Sequence, residues 1–212
     1  MRWSILFVPL LVFAPATAPA SEPVHCENIP ELAGGLGHVA TLRADYTESR
    51  TLSLMSEPLL SKGSILYARP DRLRMATTSP SRQTVTLVGT RLTVVHHDLD
   101  RRETMELDRN PIARAVTGNI LRVLSGNIDT LGGEYRCTAS PVDGGGWRLG
   151  LIPLKEPMSK VMRSMTVTVG PDRLVREVLM EEVGGDSSTM TFFNARAGEA
   201  LSPEAVAAEF GE

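Results

Sequence analysis

PLLSKGSILYARPDRLRMATTSP, residues 58–80, decides the fold. Apolar and polar residues alternate from Gly63, break at Arg69-Pro70 and resume at Leu73, the pattern of two antiparallel strands joined by a tight turn. Side chains alternate along a strand, so Ile65, Tyr67 and Arg69 share one face of the first strand, and Leu73 and Met75 share one face of the second. An arginine in register with apolar residues is the anomaly of this hairpin.

The same alternation extends in both directions. Upstream, residues 41–53 carry Leu42, Ala44 and Tyr46 on one side, a first long strand, and residues 29–39 read as a short helix with Leu32, Leu36 and Val39 at helical spacing. Downstream, residues 83–88 and 91–97 flank Gly89-Thr90, a two-residue hairpin signal, and residues 103–107 form the sixth strand. Such a meander makes a strongly curved open sheet or part of a barrel. It stops at Pro111, a residue tolerated in the first turn of a helix, after which Ile112, Val116, Ile120, Leu121 and Leu124 recur at helical spacing up to Gly126. Strands return at 134–140, 147–153, 164–169, 174–182 and 188–194, bringing the count to about eleven. Residues 155–160 interrupt them, and Ser202-Pro203 opens a short terminal helix or tail ending at Phe210. The fold class is mainly β with helices (α+β), built on a curved antiparallel sheet.

Residues 1–20 read as a cleaved signal peptide: Arg2, an apolar run from Trp3 to Phe13, and Ala18 and Ala20 before the cut. That run is short of the roughly 20 residues a spanning helix needs, so residues 21–212 are expected to form one soluble, exported domain. Ser21, not cysteine, follows the cut, and Cys26 lies too far along to be acylated there, so no lipid anchor is expected. The net charge of −3 argues against non-specific binding to nucleic acid or anionic lipid. Cys26 and Cys137 are the only cysteines. In an oxidising compartment an even count makes a disulfide the ordinary reading, with two unpaired thiols as the alternative. His96 and His97 are adjacent, so on a strand they point to opposite faces and cannot hold one metal together. No nucleophile elbow, phosphate loop or other catalytic constellation is present, and no cofactor is expected.

The hairpin also carries a resemblance. Gly63, Ile65 or Leu66, Tyr67, Arg69, Pro70 and Leu73 resemble the R-P motif of the LolA-type outer-membrane lipoprotein carriers of the Gram-negative periplasm, with Met75 where the family usually has tryptophan. The resemblance runs from about Leu32 to Phe210. It implies a half-barrel covered by helices on its concave face, a periplasmic location and a monomer that shuttles the acyl chains of a lipoprotein or related lipid. The donor would be an inner-membrane exporter and the taker an outer-membrane acceptor. The cavity would be lined by Ile65, Tyr67, Leu73, Met75, Val85, Leu87, Leu92 and Val94 of the sheet and by Ile112, Val116, Ile120 and Leu124 of the helical lid. The resemblance further implies that Arg69 is hydrogen-bonded to the closed lid and that opening breaks those bonds, which favours release.

Other readings stand beside these. The cavity residues serve equally as plain core, and the 111–125 segment as an ordinary packing helix. Arg69 serves equally as a surface arginine paired with a nearby carboxylate. With few aromatics in the expected lining, the cargo is open between a lipoprotein and a glycolipid, a free acyl chain or another lipid. A periplasmic lipid sensor or regulator on the same fold is the alternative function. An enzyme would require polar groups converging on the cavity.

Overall fold

The computed structural model describes residues 22–24, 39–125 and 133–211. The expected signal peptide, nearly all of the expected 29–39 helix and Cys26 lie outside the described residues; Val39, at the end of that expected helix, is non-helical.

Among the described residues twelve strands form one antiparallel sheet: β1 (Glu22–Val24), β2 (Thr41–Thr51), β3 (Leu59–Ala68), β4 (Arg72–Ser79), β5 (Gln83–Val88), β6 (Arg91–His96), β7 (Arg101–Glu106), β8 (Tyr135–Pro141), β9 (Trp147–Pro153), β10 (Met162–Val169), β11 (Val175–Glu182) and β12 (Ser187–Gly198). The eleven expected from alternation are β2 to β12; β1, three residues long, is too short to announce itself by periodicity. Spatial order is β1-β8-β9-β10-β11-β12-β2-β3-β4-β5-β6-β7, so the sheet is open, with β1 and β7 at its edges. The pairing of β12 with β2 joins the two meanders.

Register places the apolar residues in rows. Ala44, Ile65, Met75, Val85 and Val94 lie opposite one another across β2 to β6, and Leu42, Tyr67, Leu73, Leu87 and Leu92 form the adjacent row. Across the other half run Ala139, Leu149, Val167, Val178 and Met190. One hydrophobic core spans both halves, from Leu87 to Cys137.

Helix α1 (Pro111–Ser125) lies on this face and contributes Val123 and Leu124 to that core. A 3-10 turn at Leu107–Arg109 leads into it, the Asn110 side-chain oxygen accepts from the Ala113 N–H at 3.0 Å, and Pro111 takes the first helical position, where no N–H is required. Helix α2 (Met158–Val161) is a single turn before β10, and α3 (Pro203–Phe210) follows β12. Ser202 caps α3 by accepting from the Ala205 N–H at 3.3 Å. Helix α3 covers the opposite face of the sheet, where Phe210 packs on Leu66 and Ala68. Glu209 reaches Arg43 and Arg74 beside that contact, at 2.9 and 3.8 Å. Residues Ile65 to Ala68, the turn-side end of β3, are therefore buried on both faces.

Candidate functional site

Between α1 and the concave face lies a cavity of about 190 Å³. The sheet lines it with Glu48 of β2, Ile65 of β3, Met75 of β4, Met162 and Met165 of β10, Val178 and Met180 of β11, and Ser188, Met190 and Phe192 of β12. Val116, Asn119, Ile120, Val123 and Leu124 of α1 form its roof, with Met158 of α2 beside them. In a flat sheet β4 and β10 would stand five strand spacings, roughly 24 Å, apart. That both line one small cavity shows how far the sheet curls.

Six methionines line the cavity: Met75, Met158, Met162, Met165, Met180 and Met190. Methionine is unbranched, with three rotatable bonds and a polarisable thioether, so a methionine wall adapts to the shape of an apolar guest where branched side chains would not. Met165 and Met180 are direct cross-strand partners, and Met190 lies diagonally beside Met180 on β12. Polar atoms enter the lining only through Glu48, Ser188 and Asn119.

The expected cavity residues divide into four groups. Ile65, Met75, Val116, Ile120 and Leu124 line the cavity. Tyr67, Leu73 and Leu87 are buried in the core beyond it, and Leu92 is packed half-buried against that core. Val85 and Val94 occupy the Ile65 row and are half-buried. Ile112 is 47% exposed, while the next residue of the same turn, Ala113, packs against the core.

Arg69, expected on the lined face, is exposed. Strand β3 ends at Ala68, and Arg69 takes the next register position, opposite Ala40. Arg69 sits exposed at the corner of the hairpin, its backbone N–H donating to the Ala40 carbonyl at 2.9 Å.

The contribution of β10 to β12 escaped the sequence reading. The alternation of Val178 with Met180 and of Met190 with Phe192 was visible, but not the pairing of β12 with β2 that brings these residues over Ile65 and Met75.

A second, polar groove of about 490 Å³ runs along the other side of α1, past Arg114, Arg122, Glu134, Lys155 and Glu156. It shares Asn119 and Met158 with the apolar cavity. Asn119 is buried and its amide donates to the Tyr135 hydroxyl. Burial pushes the Tyr135 hydroxyl above the usual tyrosine range, and this hydrogen bond pulls it back. Arg122 and Glu134 pair at 3.0 Å, and Arg114 pairs with Asp108 at 2.8 Å. These are exposed ion pairs, which contribute about 0–1 kcal/mol each.

His96 lies 3.9 Å from Glu103, and His97 Nε2 lies 2.8 Å from Thr84 Oγ1, so the two rings have separate surroundings. Among the described residues no three metal-ligating side chains converge, and no helix is long and apolar enough to cross a membrane. Cys137 is buried in β8, opposite Val24 of β1. The pairing expected for it rests on Cys26, outside the described residues.

The sequence profile described as "Outer membrane lipoprotein carrier protein LolA" matches residues 37–206. Over 146 residues, 68% of each chain, the protein is 28% identical to an outer-membrane lipoprotein carrier protein of Methylibium petroleiphilum. A LolA superfamily protein from Nitrosomonas europaea is similar in structure, with a TM-score of 0.43 and 12% identity over 86% of this chain and 97% of that one. The MucA/MucB complex of Pseudomonas aeruginosa matches with a TM-score of 0.46 and 14% identity, over 84% of this chain and 59% of that one. The profile match takes in every strand from β2 to β12 and reaches into α3, and on that ground the chain belongs to the LolA family of outer membrane lipoprotein carrier proteins.

Proposed function

We propose that this protein is a periplasmic carrier that takes the acyl chains of a lipoprotein or related lipid into the methionine-lined cavity beneath α1. It receives them from an inner-membrane exporter and passes them to an outer-membrane acceptor. The observation that carries the reading is the cavity itself, apolar, roofed by a single helix and lined by six methionines, in a chain of the LolA family.

Each methylene moved from water into such a cavity is worth about 0.8 kcal/mol, but a bilayer offers the same burial, so net affinity relative to a membrane stays small. A carrier working between two membranes needs that balance. Binding is the chemistry required, and no reaction is assigned.

The cavity of about 190 Å³ is smaller than the roughly 300–1,000 Å³ of ordinary small-molecule pockets. Whole acyl chains therefore require α1 to move outward. The latch role of Arg69 is part of this proposal with one change: it acts from the hairpin corner and not from within the cavity.

The experiment is displacement of an environment-sensitive fluorescent acyl probe by a purified acylated lipoprotein, followed by transfer to acceptor vesicles. Saturable displacement and transfer support the carrier. Capture without transfer favours the lipid-sensing alternative, and no displacement defeats both.

A further inference from the structure

One acid interrupts the apolar lining. Glu48 stands in a row across the sheet between Met190 of β12 and Ser61 of β3. Its Oε1 accepts from Ser188 Oγ at 2.7 Å and its Oε2 from Ser61 Oγ at 3.1 Å. Along β2 the inward residues Leu42, Ala44 and Tyr46 are buried; Glu48 is half-buried and Arg50 exposed. The facing end of β3 is exposed at Leu59 and Leu60. Glu48 therefore marks the place where the apolar interior meets solvent. Arg50, next along the same face, is engaged by Glu182 at 3.0 Å.

A carboxylate offers about four acceptor sites, and the two serines occupy one on each oxygen. The rest are available to a guest whose chain lies against Met190 and Phe192. Beside apolar walls a charge acts through a lower dielectric than in water, so a second charge there is felt strongly. The Glu48 charge is felt at Tyr46, whose hydroxyl it helps to push up after the larger effect of burial.

Resting on the acyl-carrier reading, we propose that Glu48 reads the polar end of the bound amphiphile, accepting a head that carries an ammonium or another hydrogen-bond donor next to the acyl chain and rejecting a carboxylate head. The class of guest is then a long-chain amine, or an acyl chain whose head keeps an N–H or O–H donor, and free fatty acids are excluded although the cavity suits their chains. Discrimination of this kind works by repelling the wrong guest as well as by holding the right one.

The test uses three probes of one chain length on the mature full-length protein: dodecylamine, glyceryl monolaurate and lauric acid. Each displaces a fluorescent apolar reporter at neutral pH, below its micellar concentration. The expected order is amine and monoglyceride ahead of acid, the acid weaker by about tenfold or more. In Glu48→Gln the ratio of amine to acid affinity is expected to collapse to within about threefold, since the amide keeps the shape and loses the charge. Equal binding of amine and acid by the native protein overturns the proposal without any variant, and so does a gap that persists in Glu48→Gln. Failure of all three probes to bind defeats the carrier reading itself, a different result from binding without discrimination.

Discussion

The Tyr46 hydroxyl lies 2.7 Å from Thr77 Oγ1, and the two residues face each other from either side of Gly63. Tyr46 is buried opposite Gly63 on β2, and Thr77 is opposite it on β4, so the tyrosine ring spans a strand that has no side chain there. A Cβ on Gly63 would stand 2.1 Å from the Ala76 carbonyl oxygen, where β4 shifts register. The glycine of the hairpin motif is thus a close approach of two backbones, covered by an aromatic neighbour.

Gly63→Ala is expected to destabilise the protein by about 2 kcal/mol or more, because backbone and not a flexible side chain must move. Tyr46→Phe, which removes only the hydroxyl, is expected to cost about 1 kcal/mol. Urea unfolding followed by circular dichroism checks both, and a Gly63→Ala midpoint equal to the native one contradicts the close approach.

Alkaline pH gives a second check. Burial raises the Tyr46 hydroxyl above its ordinary range, with the Thr77 hydrogen bond opposing and Glu48 adding to the rise. A folded-state value above the unfolded one means the unfolded chain loses this proton first, so the stability it contributes is full below about pH 10 and is lost as pH rises toward the folded value. Tyr135 behaves in the same direction. Unfolding midpoints measured from pH 8 upward should fall more steeply in the native protein than in Tyr46→Phe; parallel curves contradict this.

How much of this was legible in the residues is clearest at the hairpin and at Arg69. Alternation in 58–80, the Gly89-Thr90 turn and the Pro111 start each depend on neighbours in sequence, and β3, β4, the β5–β6 turn and α1 follow them closely. Half of the cavity wall does not depend on neighbours. It exists because β12 pairs with β2, residues separated by more than a hundred positions, and no local pattern records that contact. The exposure of Arg69 is a smaller matter: alternation orders side chains along β3 but does not record where the hairpin corner runs past the covered part of the sheet.

The methionine wall should tolerate shape but not loss. Met165→Leu is expected to cost less than about 1.5 kcal/mol and to narrow the range of chain lengths bound. Met165→Ala, at a residue only 4% exposed, is expected to cost about 2–5 kcal/mol. Thermal unfolding and acyl-probe titrations in parallel measure both; an unchanged chain-length profile in Met165→Leu counts against adaptive packing.

Arg69→Leu tests the latch at the hairpin corner. Uptake of an acyl probe is expected to match the native protein, while transfer to acceptor vesicles slows. Native rates for both steps would remove Arg69 from the mechanism.

Pairing of β1 with β8 sets Val24 opposite Cys137, two residues from Cys26, which is the support for the proposed bridge between the cysteines. Non-reducing mass spectrometry of the protein is expected to show each thiol short of one hydrogen, and alkylation of both cysteines without reductant contradicts the bridge.

The account stands most directly on whether the space under α1 holds acyl chains in the cell. Native mass spectrometry of protein recovered from the cells that make it, compared with an Ile120→Asp variant that places a charge on the cavity roof, measures this. Co-purifying acylated molecules on the native protein that are lost from Ile120→Asp are the predicted result. Bare protein in both samples, or the same adducts on both, would contradict it.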